Sequence, residues 1–339
     1  MAAALAAVLA GSCLKVQNPD EEGDEWTILD SDMPVIFRSN IVEPTTKGSF
    51  PAGSTFGVFA YYTGTSNWSS SAKPNFMYNQ EVDFDGTDYT YSPIKYWPNN
   101  TGSKITFWAY SPYSADAVLL KRGTTTAYTN TTANIPDIKF TVTDGNTDFM
   151  LSTVASNKTK PAVNTPVNLT FNHALSKISF YVKKVDAAVP EKYTVKLKTV
   201  RFDGIYMTAT HRNSGWAEWA APRNSVTSFA PADASEYITL STSYPAAGSP
   251  QAVSILMPQS LAYEYALLHI EYTIDFEGLL HTRTMISNIP LSTVFSNASG
   301  VWSEGTEYNV YVSITPDDPI EFSVTWSNWG EVHNNHITS

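Results

Sequence analysis

Residues 266–276 read Ala-Leu-Leu-His-Ile-Glu-Tyr-Thr-Ile-Asp-Phe, and their alternation decides the fold class. Ala266, Leu268, Ile270, Tyr272, Ile274 and Phe276 take every second position, with His269, Glu271, Thr273 and Asp275 between them. A period of two puts the apolar set on one face of a pleated strand and the polar set on the other; a helix would scatter both sets around its surface. Glu277-Gly278 closes the run as a turn. The same pattern recurs at Val167, Leu169 and Phe171, at Ile178, Phe180 and Val182, and at Tyr308, Val310, Val312 and Ile314. Half-buried antiparallel strands bounded by Gly, Pro, Asn and Asp describe an all-β chain built of sandwiches. Within it, residues 175–183 are expected to pair with residues 193–202. The best helical candidates, at 114–121 and 260–265, are short.

Length and composition agree with this reading. A chain of 339 residues favours two domains, and the natural division falls near Asn172. The expected organisation is a signal segment over 1–13, an acidic disordered tether over 14–33, sandwiches over 34–172 and 173–332, and a tail over 333–339. Aromatics make up 13% of the residues and charged side chains only 16%, a balance that favours strands over helices. The net charge of −11 comes without a cluster of Lys or Arg. Nothing is therefore available to neutralise a phosphate backbone or an anionic lipid surface, which excludes nucleic acid and polybasic membrane binding. Protein and glycan partners remain.

The single cysteine, Cys13, permits neither an intrachain disulfide nor a cysteine-based zinc site. It closes a short apolar run, Ala2 to Ala10, through Gly11 and Ser12, and the acidic stretch from Asp20 to Glu25 follows. The run is too short to span a bilayer and reads as the apolar region of a secretory signal. Its end resembles the bacterial lipoprotein signal, which implies cleavage before Cys13, acylation of its thiol and anchoring in the outer membrane. Ala10 stands where that pattern favours Leu, and no Lys or Arg precedes the run, as expected if translation begins upstream of Met1. An ordinary signal peptide with an incidental cysteine is the alternative. Both readings place the protein outside the cytoplasm.

Catalytic motifs are missing. The six histidines form no HExxH pair, and the sequence holds no GxSxG elbow, phosphate-binding GxxxxGK[ST] loop or GxGxxG fingerprint. No enzyme activity, metal or cofactor is expected. Asp83-Phe84-Asp85 and Asp317-Asp318 are the nearest approach to paired carboxylates and read as solvated turns; Asp83 or Asp144 in an exposed calcium loop is the lesser alternative. His173 could serve as a ligand or base, but reads better as an amphipathic side chain whose ring caps backbone groups where the chain crosses between domains. Trp68, Trp216 and Trp219 lie in loop-like contexts that could offer a platform to sugar rings, against the competing reading that they pack in the core.

Five stretches together resemble the fimbrillin-like family of Bacteroides-type bacteria, the pilins and tip or anchor proteins of type V pili. They are Tyr96-Trp97-Pro98 with Ile105 to Pro112, Leu169 to Ile178 (LTFNHALSKI), Leu256 to Gln259 (LMPQ), Trp302 to Tyr308 (WSEGTEY) and Trp326 to Trp329 (WSNW). The resemblance implies two tandem transthyretin-like β-sandwiches and a non-enzymatic structural, tip or adhesin subunit of a cell-surface fimbrium. It also implies assembly with other pilin subunits by strand complementation, in which a protease cut after an arginine removes the first strand and a neighbour's strand fills the groove. Arg38 is the first arginine and would be that site; the competing reading makes it an outward-facing residue of an uncut strand. At the other end Ile320, Phe322, Val324 and Trp326 alternate with polar residues. Their full burial would contribute about 6–12 kcal/mol before ordering costs, enough for a donated strand or for an ordinary last strand. A glycan-binding surface lipoprotein outside any pilus is the alternative function.

Overall fold

The computed structural model describes residues 32–42, 47–48, 50–185, 192–212, 215–217, 223–230, 232–278, 282–316 and 319–329. Cys13 and the signal segment, the tether through residue 31, Trp219, Asp317-Asp318 and the tail lie outside these residues.

The described residues are all-β, with one turn of α-helix at Leu291–Val294 and short 3₁₀ turns among them, and the sheets form two sandwich-like halves. A nine-stranded sheet organises the N-terminal half, in the order Lys47–Gly48, Phe37–Val42, Val167–His173, Met150–Ser152, Ile105–Ser111, Ser54–Tyr62, Met77–Phe84, Tyr89–Thr90, with Ala155–Lys158 also paired to Ile105–Ser111. All seven residues of Ile105–Ser111 are buried. The period of two survives there as a choice between two cores. Phe56, Val58, Ala60, Ile105, Phe107 and Ala109 face a smaller core, and Phe59, Tyr61, Trp108 and Tyr110 face a larger one that continues into the C-terminal half.

Two four-membered strand paths face each other in the C-terminal half. One runs Ala252–Leu256, Ser176–Lys184, Thr306–Ile314, Glu321–Asn328; the other runs Asn224–Phe229, Tyr193–Ile205, Leu267–Phe276, Thr282–Pro290. The expected pairing of 175–183 with 193–202 does not occur. The two strands lie in different sheets and meet face to face, with the Phe180 and Phe202 rings 5.6 Å apart. Leu267–Phe276 pairs on both sides, with Tyr193–Ile205 and Thr282–Pro290. Its polar side is not open water: His269 lies 2.8 Å from Asn288 Oδ1, and Glu271 and Asp275 take Lys198 and Lys196 as ion-pair partners. Gly204 makes the neighbouring corner possible. Its φ is +67°, and a Cβ there would meet the Tyr265 carbonyl oxygen at 2.0 Å, so no other residue fits without moving backbone.

A further four-stranded sheet crosses the division near Asn172. Gly215–Ala217 and Thr208–Arg212 pair through Asp137–Thr141 to Val118–Leu120, so strands from both halves share one ladder. Neither short helical candidate forms. Residues 118–120 of the first join this sheet, and the second is a turn leading into Leu267–Phe276. So short a helix cannot repay its nucleation, while strand pairing satisfies the same backbone groups at once.

The N-terminal half buries several tyrosines whose hydroxyls bond to other tyrosines, asparagines or backbone carbonyls. Burial raises Tyr91, Tyr110 and Tyr128 to about 12, and raises Tyr61 further in the same direction. The unfolded value is about 10. Because the folded state holds the neutral form, this stabilisation is complete below pH 10 and is lost as pH rises towards 12. A spectrophotometric titration should therefore show these rings ionising together with loss of structure, while exposed tyrosines ionise earlier.

Candidate functional site

No cluster of metal-binding side chains occurs among the described residues, and the sequence points first to the two terminal strands. The first is locked in place. Val35, Phe37, Ser39 and Ile41 point into the smaller core, while Arg38 and Val42 face out. The Phe37 ring meets Phe56 and Phe107 edge-on at 6.2 and 5.8 Å, and Tyr91 at 5.5 Å. Tyr91 donates its hydroxyl to the Val35 carbonyl at 2.7 Å, and the Ser39 and Tyr89 hydroxyls are 2.8 Å apart. The backbone pairs in parallel with Val167–His173, from Phe37 opposite Val167 to Ile41 opposite Phe171.

Arg38 sits on the outward side of this strand and is exposed. Removing the chain up to Arg38 would take away Val35 and Phe37 and open a groove walled by Phe56, Tyr91, Trp97 and Phe107.

The last strand is held less firmly. Glu321–Asn328 pairs antiparallel with Thr306–Ile314, Glu321 opposite Ser313 and Asn328 opposite Thr306, and it forms the edge of its sheet. Of the alternating set only Val324 is buried. Ile320 and Phe322 are half-buried, and Trp326 is 48% exposed. The burial available to four such side chains is therefore not realised within the chain. An edge with open backbone groups and exposed apolar side chains is a template for another strand.

One contact pins the end of this strand to the junction between the halves. The Trp329 ring stacks on His173, centroids 4.1 Å apart and planes within 10°. His173 Nδ1 lies 2.7 Å from Asp148 Oδ2, and the Lys177 ammonium sits 5.9 Å from the Trp329 ring centre. His173 thus acts through a carboxylate and an indole rather than by capping backbone groups. Trp329→Ala should cost the fold only about 1 kcal/mol, the order of an aromatic pair. Its clearer signature should be faster hydrogen exchange in Glu321–Asn328, with the exchange of Leu267–Phe276 unchanged.

The remaining candidates fall apart in space or serve local structure. Asp85 accepts the backbone N–H groups of Asp88 and Thr87 at 2.8 and 2.7 Å, and these bonds hold its carboxyl below the usual range. Asp144 does the same with Asn146 at 2.9 Å. Both carboxylates build turns. Trp68 is half-buried, edge-on to Tyr61 at 6.2 Å, and Trp216 donates its indole N–H to the Ala174 carbonyl oxygen. The more exposed rings are Tyr263 and Tyr265, 39% and 50% exposed, with the Arg223 guanidinium 4.1 and 3.8 Å above them. Two tyrosines flanking one residue were the available signal, but the strong strand that follows masks it.

The sequence from residue 44 to residue 329 matches the fimbrillin-like family. This chain belongs to that family. The fimbrillin-like chain is 32% identical over 158 residues to the fimbrium subunit Fim1C of Phocaeicola vulgatus, a match spanning 42% of this chain and 40% of that relative. Among solved structures it superposes on a fimbrial protein from Bacteroides vulgatus with a TM-score of 0.65 at 19% identity, covering 88% of this chain and 99% of the other. A candidate cell adhesion protein from Bacteroides uniformis follows with a TM-score of 0.54 at 15% identity, covering 89% and 100%. At these identities the structural likeness speaks for the fold.

Proposed function

We propose that this fimbrillin-like chain is a non-enzymatic structural or adhesin subunit of a cell-surface fimbrium, built from two transthyretin-like sandwiches and joined to its neighbours by strand complementation. The observation that carries the reading is the contrast between the two terminal strands. The first fills a groove with alternating Val35, Phe37, Ser39 and Ile41; the last presents the same period of two, Ile320, Phe322, Val324 and Trp326, at an edge that leaves most of it uncovered. A cut after Arg38 would carry off Val35 and Phe37 and leave Ser39, Asn40 and Ile41 opposite Leu169, Thr170 and Phe171; a neighbour's last strand would enter the emptied end of the groove and displace them. The ladder bonds to Val167–His173 would supply affinity and the alternate side chains register. Acylation at Cys13 would hold the subunit at the outer membrane until assembly. Other subunits of the same family are the expected partners, and the fibre surface would meet a host or bacterial surface.

Immunogold labelling of fibres sheared from cells that express the protein tests this function. Label along the fibre or at its end is expected. Label confined to the cell envelope, on cells that carry fibres, would favour a surface lipoprotein outside any pilus.

A further inference from the structure

A shallow cleft, open to solvent, lies where the shared sheet meets the N-terminal sheet, and Trp108, Arg122, Asp137, Ser152, His211 and Arg212 line it. It shares no residue with the terminal strands. Asp137 is its organising group. At 2% exposure this carboxylate accepts the Gly123 backbone N–H at 2.7 Å and lies 3.5 Å from Arg212 Nε. A buried carboxylate persists as an ion only where such partners repay its lost hydration.

The bond to Gly123 fixes the turn that carries Arg122. Backbone bonds from Lys121 N–H to the Thr126 carbonyl at 2.7 Å and from Thr124 N–H to the Lys121 carbonyl at 2.9 Å tighten the same turn. Arg122 itself has no ion-pair or hydrogen-bond partner among the described residues, yet it lines the cleft. With Asp137 taken up by Arg212 and the Gly123 N–H, the Arg122 guanidinium is the positive group the cleft offers to a ligand. A monoanion balances it, whereas a phosphate dianion would place surplus negative charge beside Asp137. Planar guanidinium donors suit a carboxylate in particular.

The rest of the cleft describes the body that bears this carboxylate. Trp108 and the aliphatic residues beside it form an apolar wall. Ser152, whose hydroxyl accepts the Ala109 N–H at 2.8 Å, also lines the cleft. His211, held by Glu304 at 3.2 Å, adds a second polar group. An apolar wall facing hydrogen-bonding groups matches a pyranose ring, with its C–H face and hydroxyl edge. We propose that this cleft binds a carboxylate-bearing sugar unit, a uronic acid, with Arg122 as the partner of its carboxylate.

Titration of the full chain with sodium galacturonate, followed by calorimetry and by tryptophan fluorescence, tests the proposal, with galactose as the neutral counterpart. Saturable binding of the acid at least tenfold tighter than of galactose is expected. Arg122→Gln should weaken it tenfold or more, Arg122→Lys less, and Lys121→Gln on the same turn should leave it unchanged, all with wild-type circular dichroism. No saturable binding of galacturonate or glucuronate would overturn the proposal. So would equal binding of galactose, unchanged binding by Arg122→Gln, or tighter binding of a peptide carboxylate such as N-acetyl-glycyl-phenylalanine.

Discussion

Phe37→Ala is expected to lower the stability of the intact chain by about 3–5 kcal/mol, the range for removing a buried phenylalanine. The ring is 4% exposed and touches three other aromatic rings, Phe56 and Phe107 on two strands and Tyr91 just beyond Tyr89–Thr90. The two strand-borne partners are held by the sheet itself and cannot collapse into the space. Arg38→Ala next to it should change stability by no more than about 0.5 kcal/mol, because its side chain faces water. Urea unfolding of the two variants makes the comparison. The same variant carries a functional consequence: with Phe37 gone, emptying the groove costs less, so Phe37→Ala should associate more readily than the wild type even without a cut at Arg38. Equal stability of the two variants would mean that the first strand does not plug the groove.

Trp326→Lys is expected to do the reverse. The ring is 48% exposed at the edge of its sheet, so the monomer should lose no more than about 0.5 kcal/mol. Association with a neighbour should weaken about a hundredfold, or about 2.7 kcal/mol, the scale of an interface tryptophan whose pocket is lost. A lysine on an edge strand also discourages unwanted pairing. Sedimentation velocity of the chain trimmed through Arg38, with and without the substitution, reads this effect. A stability loss like that of a core tryptophan would instead make the last strand an ordinary member of its own sandwich.

The strands themselves were legible in the sequence because a period of two is local. Residues 267–276, 167–171 and 308–314 fall in strands Leu267–Phe276, Val167–His173 and Thr306–Ile314. Pairing was not legible, since it is settled between residues far apart: nothing local in 193–202 distinguishes a neighbour of 175–183 from a strand packed across from it. The polar side of a strand such as Ile105–Ser111 was equally hidden, because Trp108 and Tyr110 are buried by the shared sheet that only the fold brings over them. Similar apolar alternation at the two ends gave no sign that Phe37 would be enclosed and Trp326 left out. That difference comes from the position of each strand in its sheet. His173 and Trp329 lie in recognisable motifs, but their stacking required the strand Glu321–Asn328 to be placed first. Arg122 and Asp137, from separate segments, formed no pattern at all.

Hydrogen exchange of the chain trimmed through Arg38, measured across a range of protein concentrations, tests strand complementation most directly. As concentration rises, the amides of Val167–His173 and of Glu321–Asn328 are expected to become protected together, because the strand one subunit donates covers the groove another has opened. Protection in both segments that does not change with concentration, in a trimmed chain that stays folded and monomeric, would contradict it.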